Sequence, residues 1–460
     1  MAHPPTEHST LKIPIPRVAR WLIPVKRFLH IEATSGIVLF ACTIIALAIA
    51  NSPWHEAFEK FWHTHVGIEF GKLHISGDLG HLVVNDILMT IFFFVVGLEV
   101  KREVVAGELR EPRKALLPIV GALGGVITPA LIYLALQWGK EGERGWAIPM
   151  ATDIAFVVGI LALFGRRIPF GLKIFLLTLA IVDDIIAVLV IATVFTESIA
   201  WGYLFAAFAG FALCVLLNRI GVREVPIYVL VGIGIWFGFY KAGIHPTIAG
   251  VILGLLTPAN AWIGRRTFFE VMADFWETLR HDDESHESNS VAKHHSDKPP
   301  VNLEQLRFLA RESHSPLHRL EAGLHPWVAY VIMPIFALAN AGVKLDPNAL
   351  TSSVSLAVAL GLVLGNPLGI FLFSFVAVRL GWTKLPDGVR WPVFIGGACL
   401  GGIGFTMALF LNALSFPTSE YPTLEEAGKI GPLAGSAVSA LIGSAVLFWF
   451  LKSSPSSSPD

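Results

Sequence analysis

Apolar stretches of membrane-spanning length recur along most of the chain, parted by short polar segments. They fall at 34–51, 80–104, 115–137, 147–164, 170–196, 200–218, 225–240, 243–257, 325–345, 353–380, 391–415 and 430–451. A spanning helix needs about 20 mainly apolar residues, so the pattern predicts an all-α polytopic membrane protein with about twelve transmembrane helices. Basic residues gather in alternate loops. One side holds Arg17, Arg20, Lys26 and Arg27, then Arg110, Arg113 and Lys114, then Arg166, Arg167 and Lys173. It continues with Arg219 and Arg223, Arg265 and Arg266, and Arg379, Lys384 and Arg390. The loops between them, such as 52–79, 197–200 and 416–427, are poor in Lys and Arg or lean acidic. By the positive-inside rule both termini are cytoplasmic.

Two segments break the pattern. Residues 64–77 alternate apolar and polar positions around Phe70-Gly71-Lys72, which predicts a short external β-hairpin. Residues 259–323 are polar and include His281, His286, His294 and His295; their irregular spacing reads as a solvated, partly disordered cytoplasmic insert rather than a metal site. The chain thus divides into a tail at 1–32, a membrane region at 33–258, the insert at 259–323, a second membrane region at 324–452 and a tail at 453–460.

Composition agrees. The chain is 54% hydrophobic and only 15% charged over 460 residues, too apolar for a soluble protein of this size. A net charge of -1 argues against a nucleic-acid partner. Cys42, Cys214 and Cys399 all lie in apolar stretches and suggest no disulfide framework.

Against this background two carboxylates stand out. Asp183 and Asp184 sit mid-segment, with no other charge between Lys173 and Glu197. A charge at that depth costs at least about 2.5–3.5 kcal/mol, and it is tolerated when it faces protein or water and binds something. A cation and a proton are the natural candidates. Adjacent helical residues point about 100° apart, so both side chains can line one cavity. Two further segments carry helix-breaking punctuation: Ile148-Pro149-Met150-Ala151-Thr152-Asp153, and Gly396 through Thr406 with its Gly401-Gly402-Ile403-Gly404 run. Each is the middle member of a three-segment group, 115–196 and 353–451. That arrangement predicts inverted repeats whose two broken helices cross at a midplane site.

At these residues the sequence resembles the NhaA family of sodium/proton antiporters. The likeness runs through Ala151-Thr-Asp-Ile-Ala-Phe156, Leu179-Ala-Ile-Val-Asp-Asp184, Asn85-Asp86, Val96-Gly-Leu-Glu-Val-Lys-Arg-Glu103, Gly243-Ile-His-Pro246, Leu324-His-Pro-Trp327, Ala339-Asn-Ala-Gly342, Pro367-Leu-Gly-Ile370 and Gly401-Gly-Ile-Gly-Phe-Thr-Met407. It implies exchange of sodium or lithium for protons across a bacterial inner membrane, with Asp183 and Asp184 as the ion- and proton-binding centre. Asp153 and Thr152 would lie where the broken helices cross, beside the unwound backbone at Gly402, Gly404, Phe405 and Thr406. Glu99, Arg102, Glu103, Arg319 and Glu321 match a charged cluster tied to pH response, and His245 a histidine tied to the same behaviour. The external hairpin at 64–77 matches a homodimer contact, and membrane lipid surrounds the spans. On residues alone, Asp86 is either a funnel charge or an interfacial helix cap, Glu99–Glu103 a pH sensor or a salt-bridged helix end, His245 an interfacial histidine between spans, and His325 only the start of a span.

Departures concern charge. Where the family usually has a lysine before Pro-Leu-Gly-Ile, this chain has Asn366; after Glu321 it has Ala322, not the frequent histidine. Loss of the lysine predicts an alkaline-shifted activity profile and, as an alternative to electrogenic transport, electroneutral exchange. No Walker-type lysine loop appears, no cofactor is implied, and gradient-driven exchange needs no enzyme chemistry. An intramembrane aspartyl protease, the rival from another class, needs its carboxylates on separate helices, one in a Gly-x-Gly-Asp motif.

Overall fold

In the computed structural model the described residues are 32–70, 73–196, 199–222, 224–264, 266–274, 276, 303–344, 351–418 and 420–452. Residues 1–31 of the expected tail at 1–32, the tail at 453–460 and the histidine-bearing middle of the insert lie outside them. The described chain is mostly helical. It runs α1 Glu32–Ala50, α2 His55–Trp62, strands β1 His65–Phe70 and β2 Leu73–Asp78, then a wide π-helical turn Leu79–Leu88 continuing into α3 Met89–Ala106. Next come α4 Pro112–Gln137, a 3-10 stretch Glu141–Met150, α5 Ile154–Phe164, α6 Phe170–Val194, α7 Trp201–Ile220, α8 Val225–Ala242 and α9 Thr247–Leu256. The second half holds α10 Leu303–Glu312, α11 Pro316–Trp327, α12 Met333–Asn340, α13 Ser353–Leu360, α14 Asn366–Arg379, α15 Trp391–Leu400, α16 Phe405–Ser415 and α17 Pro422–Lys452.

By length and composition, 8 of the described helices can cross a membrane, or up to 11 if each bent pair counts as one span. The difference from about twelve has a local cause at 243–257. There α8 ends on Gly243, in the left-handed region at φ 78°, and Pro246 precedes a helix of only 10 residues. A 10-residue helix rises about 15 Å, half of a hydrocarbon core near 30 Å.

The outward faces of α7 and α8 carry exposed Phe205, Phe208, Leu216, Val229, Leu230 and Ile233. Such an apolar belt is unfavourable in water and suits lipid. Inside, Phe410 of α16 is fully buried and ties distant elements together. Its ring meets Phe93 of α3 at 5.6 Å, Phe336 of α12 at 6.2 Å and the imidazole of His245 edge-on at 5.5 Å.

The hairpin forms as the alternation predicts. β1 and β2 pair antiparallel, His65 opposite Asp78 and Phe70 opposite Leu73. At its base Asp78 faces His63 at 3.1 Å and His65 at 3.5 Å. The hydrogen bond with His63 holds the Asp78 carboxyl below its ordinary range. The insert is more ordered at its flanks than a solvated linker: residues 266–274 and α10 are helical.

Candidate functional site

The site is built from two interruptions that satisfy each other. The first break follows Pro149-Met150, where residues 151–153 leave the helix before α5 begins; the flanking helices bend by 41°. The second spans residues 401–404 between α15 and α16, with a bend of 44°. Interrupting a helix frees backbone N–H and C=O groups, each costing several kcal/mol if left unmet in a membrane. Here the two breaks pair. Asp153 N–H donates to Ile403 O at 2.6 Å, and the Thr152 hydroxyl donates to Gly401 O at 2.9 Å.

The Asp153 carboxylate serves both helix starts. It accepts the Phe156 N–H of α5 at 3.3 Å and the Thr406 N–H of α16 at 3.0 Å, and also the Thr406 hydroxyl. One acceptor side chain at two helix N-termini meets orphan donors of both helices at once. Ser436 accepts the Phe405 N–H at 3.1 Å. Glycine is needed at 402 because a Cβ there would lie 2.3 Å from the Leu362 carbonyl oxygen, a backbone atom that cannot swing away. We expect Gly402→Ala to destabilise the fold by about 1–3 kcal/mol through overpacking. Thermal unfolding in detergent checks this; an unchanged midpoint would count against so close a backbone approach.

Asp183 and Asp184 lie midway along α6, both buried. Asp183 is fastened to the first break, its Oδ2 accepting the Thr152 N–H at 2.7 Å. Asp184 accepts no hydrogen bond among the described residues. Asn366, also buried, donates from Nδ2 to the Pro149 carbonyl at 2.9 Å, so it meets the break itself and makes no hydrogen bond to either aspartate. Its Oδ1 has no partner among the described residues. A hard cation prefers oxygen ligands. The oxygens of this region include the two carboxylates, the Asp153 carboxylate, the Thr152 hydroxyl, the Asn366 Oδ1 and the unwound carbonyls. Among the described residues no group of three or more His, Cys, Asp or Glu side chains is arranged to hold a metal ion, so any cation here depends on hydroxyl and carbonyl oxygens as well.

The remaining residues singled out from sequence divide between two places. Arg102 pairs with Glu321 and, at 3.4 Å, with Glu103; Glu99 faces His325 at 3.5 Å. Arg319 instead meets Glu312 at 3.5 Å and the Arg311 carbonyl at 3.2 Å. His245 is elsewhere. Its Nε2 lies 3.6 Å from Asp86, and its Nδ1 meets Thr247 at 2.8 Å. His81 approaches the same carboxylate at 3.5 Å, so buried Asp86 sits between two imidazoles.

Sequence reasoning missed His81, Glu312 and the role of His325. The signal for His81 was a five-residue separation from Asp86. That spacing puts two side chains on one face only in a π-helical turn, which is the form Leu79–Leu88 adopts. For His325 the signal was its i+4 spacing from Glu321. Glu312 offered no comparable sign.

Comparison with known proteins extends the picture across the chain. The family described as Na+/H+ antiporter 1 matches residues 26–447. A protein of Rhodopirellula baltica named Na(+)/H(+) antiporter NhaA is 49% identical over 96% of this chain and 98% of its own length. One of Vibrio vulnificus, named Na(+)/H(+) antiporter NhaA 2, is 47% identical over 94% of this chain and 93% of its own. A namesake of the latter in Sorangium cellulosum is 46% identical, with 94% and 92% covered.

Proposed function

Because this chain belongs to the Na+/H+ antiporter 1 family, we propose that it exchanges sodium for protons across the membrane at Asp183 and Asp184. The observation that carries the reading is the bond from Thr152 N–H to Asp183, which couples a buried carboxylate to a helix break. Protons and sodium compete for the same oxygens, so the pair holds one or the other. A shift of the two breaks against α6 then changes which side of the membrane the occupied pair faces. Lithium, a smaller hard cation, fits the same oxygen chemistry.

The wider reading follows the same logic. The breaks in 115–196 and 353–451 belong to inverted repeats and cross near the midplane, with Asp153 balancing their positive ends. Both termini are cytoplasmic and the protein resides in a bacterial inner membrane. Glu99, Arg102, Glu103, Arg319, Glu321 and His325 form the cytoplasmic pH-responsive set, with Arg319 paired separately with Glu312. Asp86, His81 and His245 guard the external funnel. Two copies associate through the hairpin at 64–77.

Asn366 sets the charge balance. An asparagine offers the Pro149 carbonyl a hydrogen bond but brings no positive charge and no proton to release. Exchange is accordingly electroneutral, with one proton carrier fewer than in lysine-bearing relatives. The test is sodium/proton exchange in proteoliposomes with the membrane voltage clamped or imposed. Voltage-independent exchange supports the electroneutral reading, and clear voltage-driven exchange sinks it. Asn366→Lys should move the pH at which exchange begins toward neutrality, because an adjacent cation favours the ionised carboxylates that bind sodium. An unmoved profile in a folded Asn366→Lys protein would remove Asn366 from the charge balance.

A further inference from the structure

The flank of the insert after α9 carries large aromatic side chains that are more than half exposed. Trp262 is 65% exposed, Phe269 58% and Trp276 65%. Helical spacing sorts them. In the helix 266–274, Phe268 and Met272 share one half-buried stripe, and the exposed Phe269 lies beside it. The opposite stripe is Arg266, Glu270 and Asp274, and Arg266 bonds Glu270 at 2.9 Å. The nine residues rise about 14 Å, too short to cross a hydrocarbon core near 30 Å. An apolar stripe of this length can be covered only lengthwise.

Its position is fixed by two backbone bonds. Leu317 N–H, in the first turn of α11, donates to Pro258 O at 3.2 Å, so the chain leaving α9 is joined to the chain entering the next span. Ile263 N–H donates to Glu312 O at 3.1 Å. Four residues lie between Pro258 and Ile263, and the five steps along the chain span at most about 17 Å. The helix therefore starts beside the ends of two membrane-embedded elements. It also continues their lipid-facing surface, since Leu255 and Leu256 at the end of α9 are exposed just before Trp262.

We propose that the helix 266–274, with Trp262 and Trp276 at its two ends, is an interfacial anchor, with Phe269 and Trp276 sunk into the headgroup–acyl boundary of the cytoplasmic leaflet and the half-buried Phe268 and Met272 behind them. The partner is a lipid surface, which Trp and Phe suit at the water boundary. Its polar stripe bears one Arg against two carboxylates, so apolar insertion rather than attraction to anionic headgroups holds it. The inference rests on the membrane orientation proposed above. The same backbone bond joins the anchor to Glu312, whose side chain pairs with Arg319.

The test labels single cysteines with an environment-sensitive fluorophore at 269, 272 and 276, and at 266, 270 and 274, in protein whose native cysteines are replaced by serine. The protein is reconstituted in phosphatidylethanolamine/phosphatidylglycerol vesicles containing lipids brominated near the headgroup. Bromine should quench the first set about threefold more than the second, iodide should do the reverse, and raising salt should change neither. Equal iodide access at all six positions overturns the proposal. So does protection of the first set that depends on protein density rather than on brominated lipid, which would make the face a contact between copies. Because depth is read without transport, failure here is separable from failure of the exchange reading, which the same vesicles report as sodium-driven proton movement.

Discussion

Asp184→Asn should abolish sodium/proton exchange while leaving the protein folded. Asparagine keeps the volume of the side chain and removes its charge. Asp184 is buried and accepts no hydrogen bond among the described residues, so no structural bond is lost with the carboxylate. What is lost is one of two anionic ligands for a hard cation and one proton acceptor. A loss of about 100-fold or more in exchange corresponds to about 3 kcal/mol of cation binding. Sodium-induced proton release from purified protein, read with a pH dye, measures the effect directly. Persistent release from folded Asp184→Asn protein would locate the exchange site elsewhere. Asp183 separates two roles. Asp183→Asn keeps an oxygen for the Thr152 N–H and should fail in transport alone, whereas Asp183→Ala should also loosen the first break.

Asp153→Ala should cost stability before it costs rate. The substitution strips acceptors from the Phe156 and Thr406 N–H groups and from the Thr406 hydroxyl, all at the starts of α5 and α16. A lost helix cap costs about 1 kcal/mol in soluble proteins, and an unmet backbone group in a membrane costs several. The expected sum, about 3–5 kcal/mol, should appear as a clear fall in the unfolding midpoint in detergent. Asp153→Asn is the discriminating companion. It restores an acceptor oxygen and should recover most of the midpoint while leaving the two helix ends without their balancing charge. If both variants melt like the native protein, Asp153 does not hold the breaks together.

Much of this was legible in the sequence because the signals are local. Hydropathy located the apolar segments, alternation located the hairpin, and Pro149 with the Gly401–Gly404 run located both breaks. The aspartate pair was visible as an energetic anomaly. What sequence could not supply were pairings between distant segments. Nothing local says that Asp153 donates to Ile403, or that Asn366 reaches the Pro149 carbonyl rather than an aspartate. Helical form also mattered. His81 and Asp86 share a face only because the backbone widens into a π-turn, and an ordinary 3.6-residue repeat hides them. Likewise, hydropathy counted 243–257 as a full span, but Gly243 and Pro246 leave a helix of 10 residues. His245 was grouped with the pH-linked residues by analogy; geometry puts it beside Asp86, away from Arg102 and Glu321.

The mutual pairing of the breaks also orders how the protein is made. Thr406, which completes the cap on Asp153, comes 253 residues later in the chain. At ordinary synthesis rates of 5–20 residues per second, that gap is roughly 10–50 s. Through that interval Asp153 can cap only the Phe156 N–H. The Thr406 donors and the Gly401 and Ile403 carbonyls that complete the first break arrive with the second one. Substitutions at Gly401–Gly404 should then show up first as degradation of newly made chains, before any transport is measured.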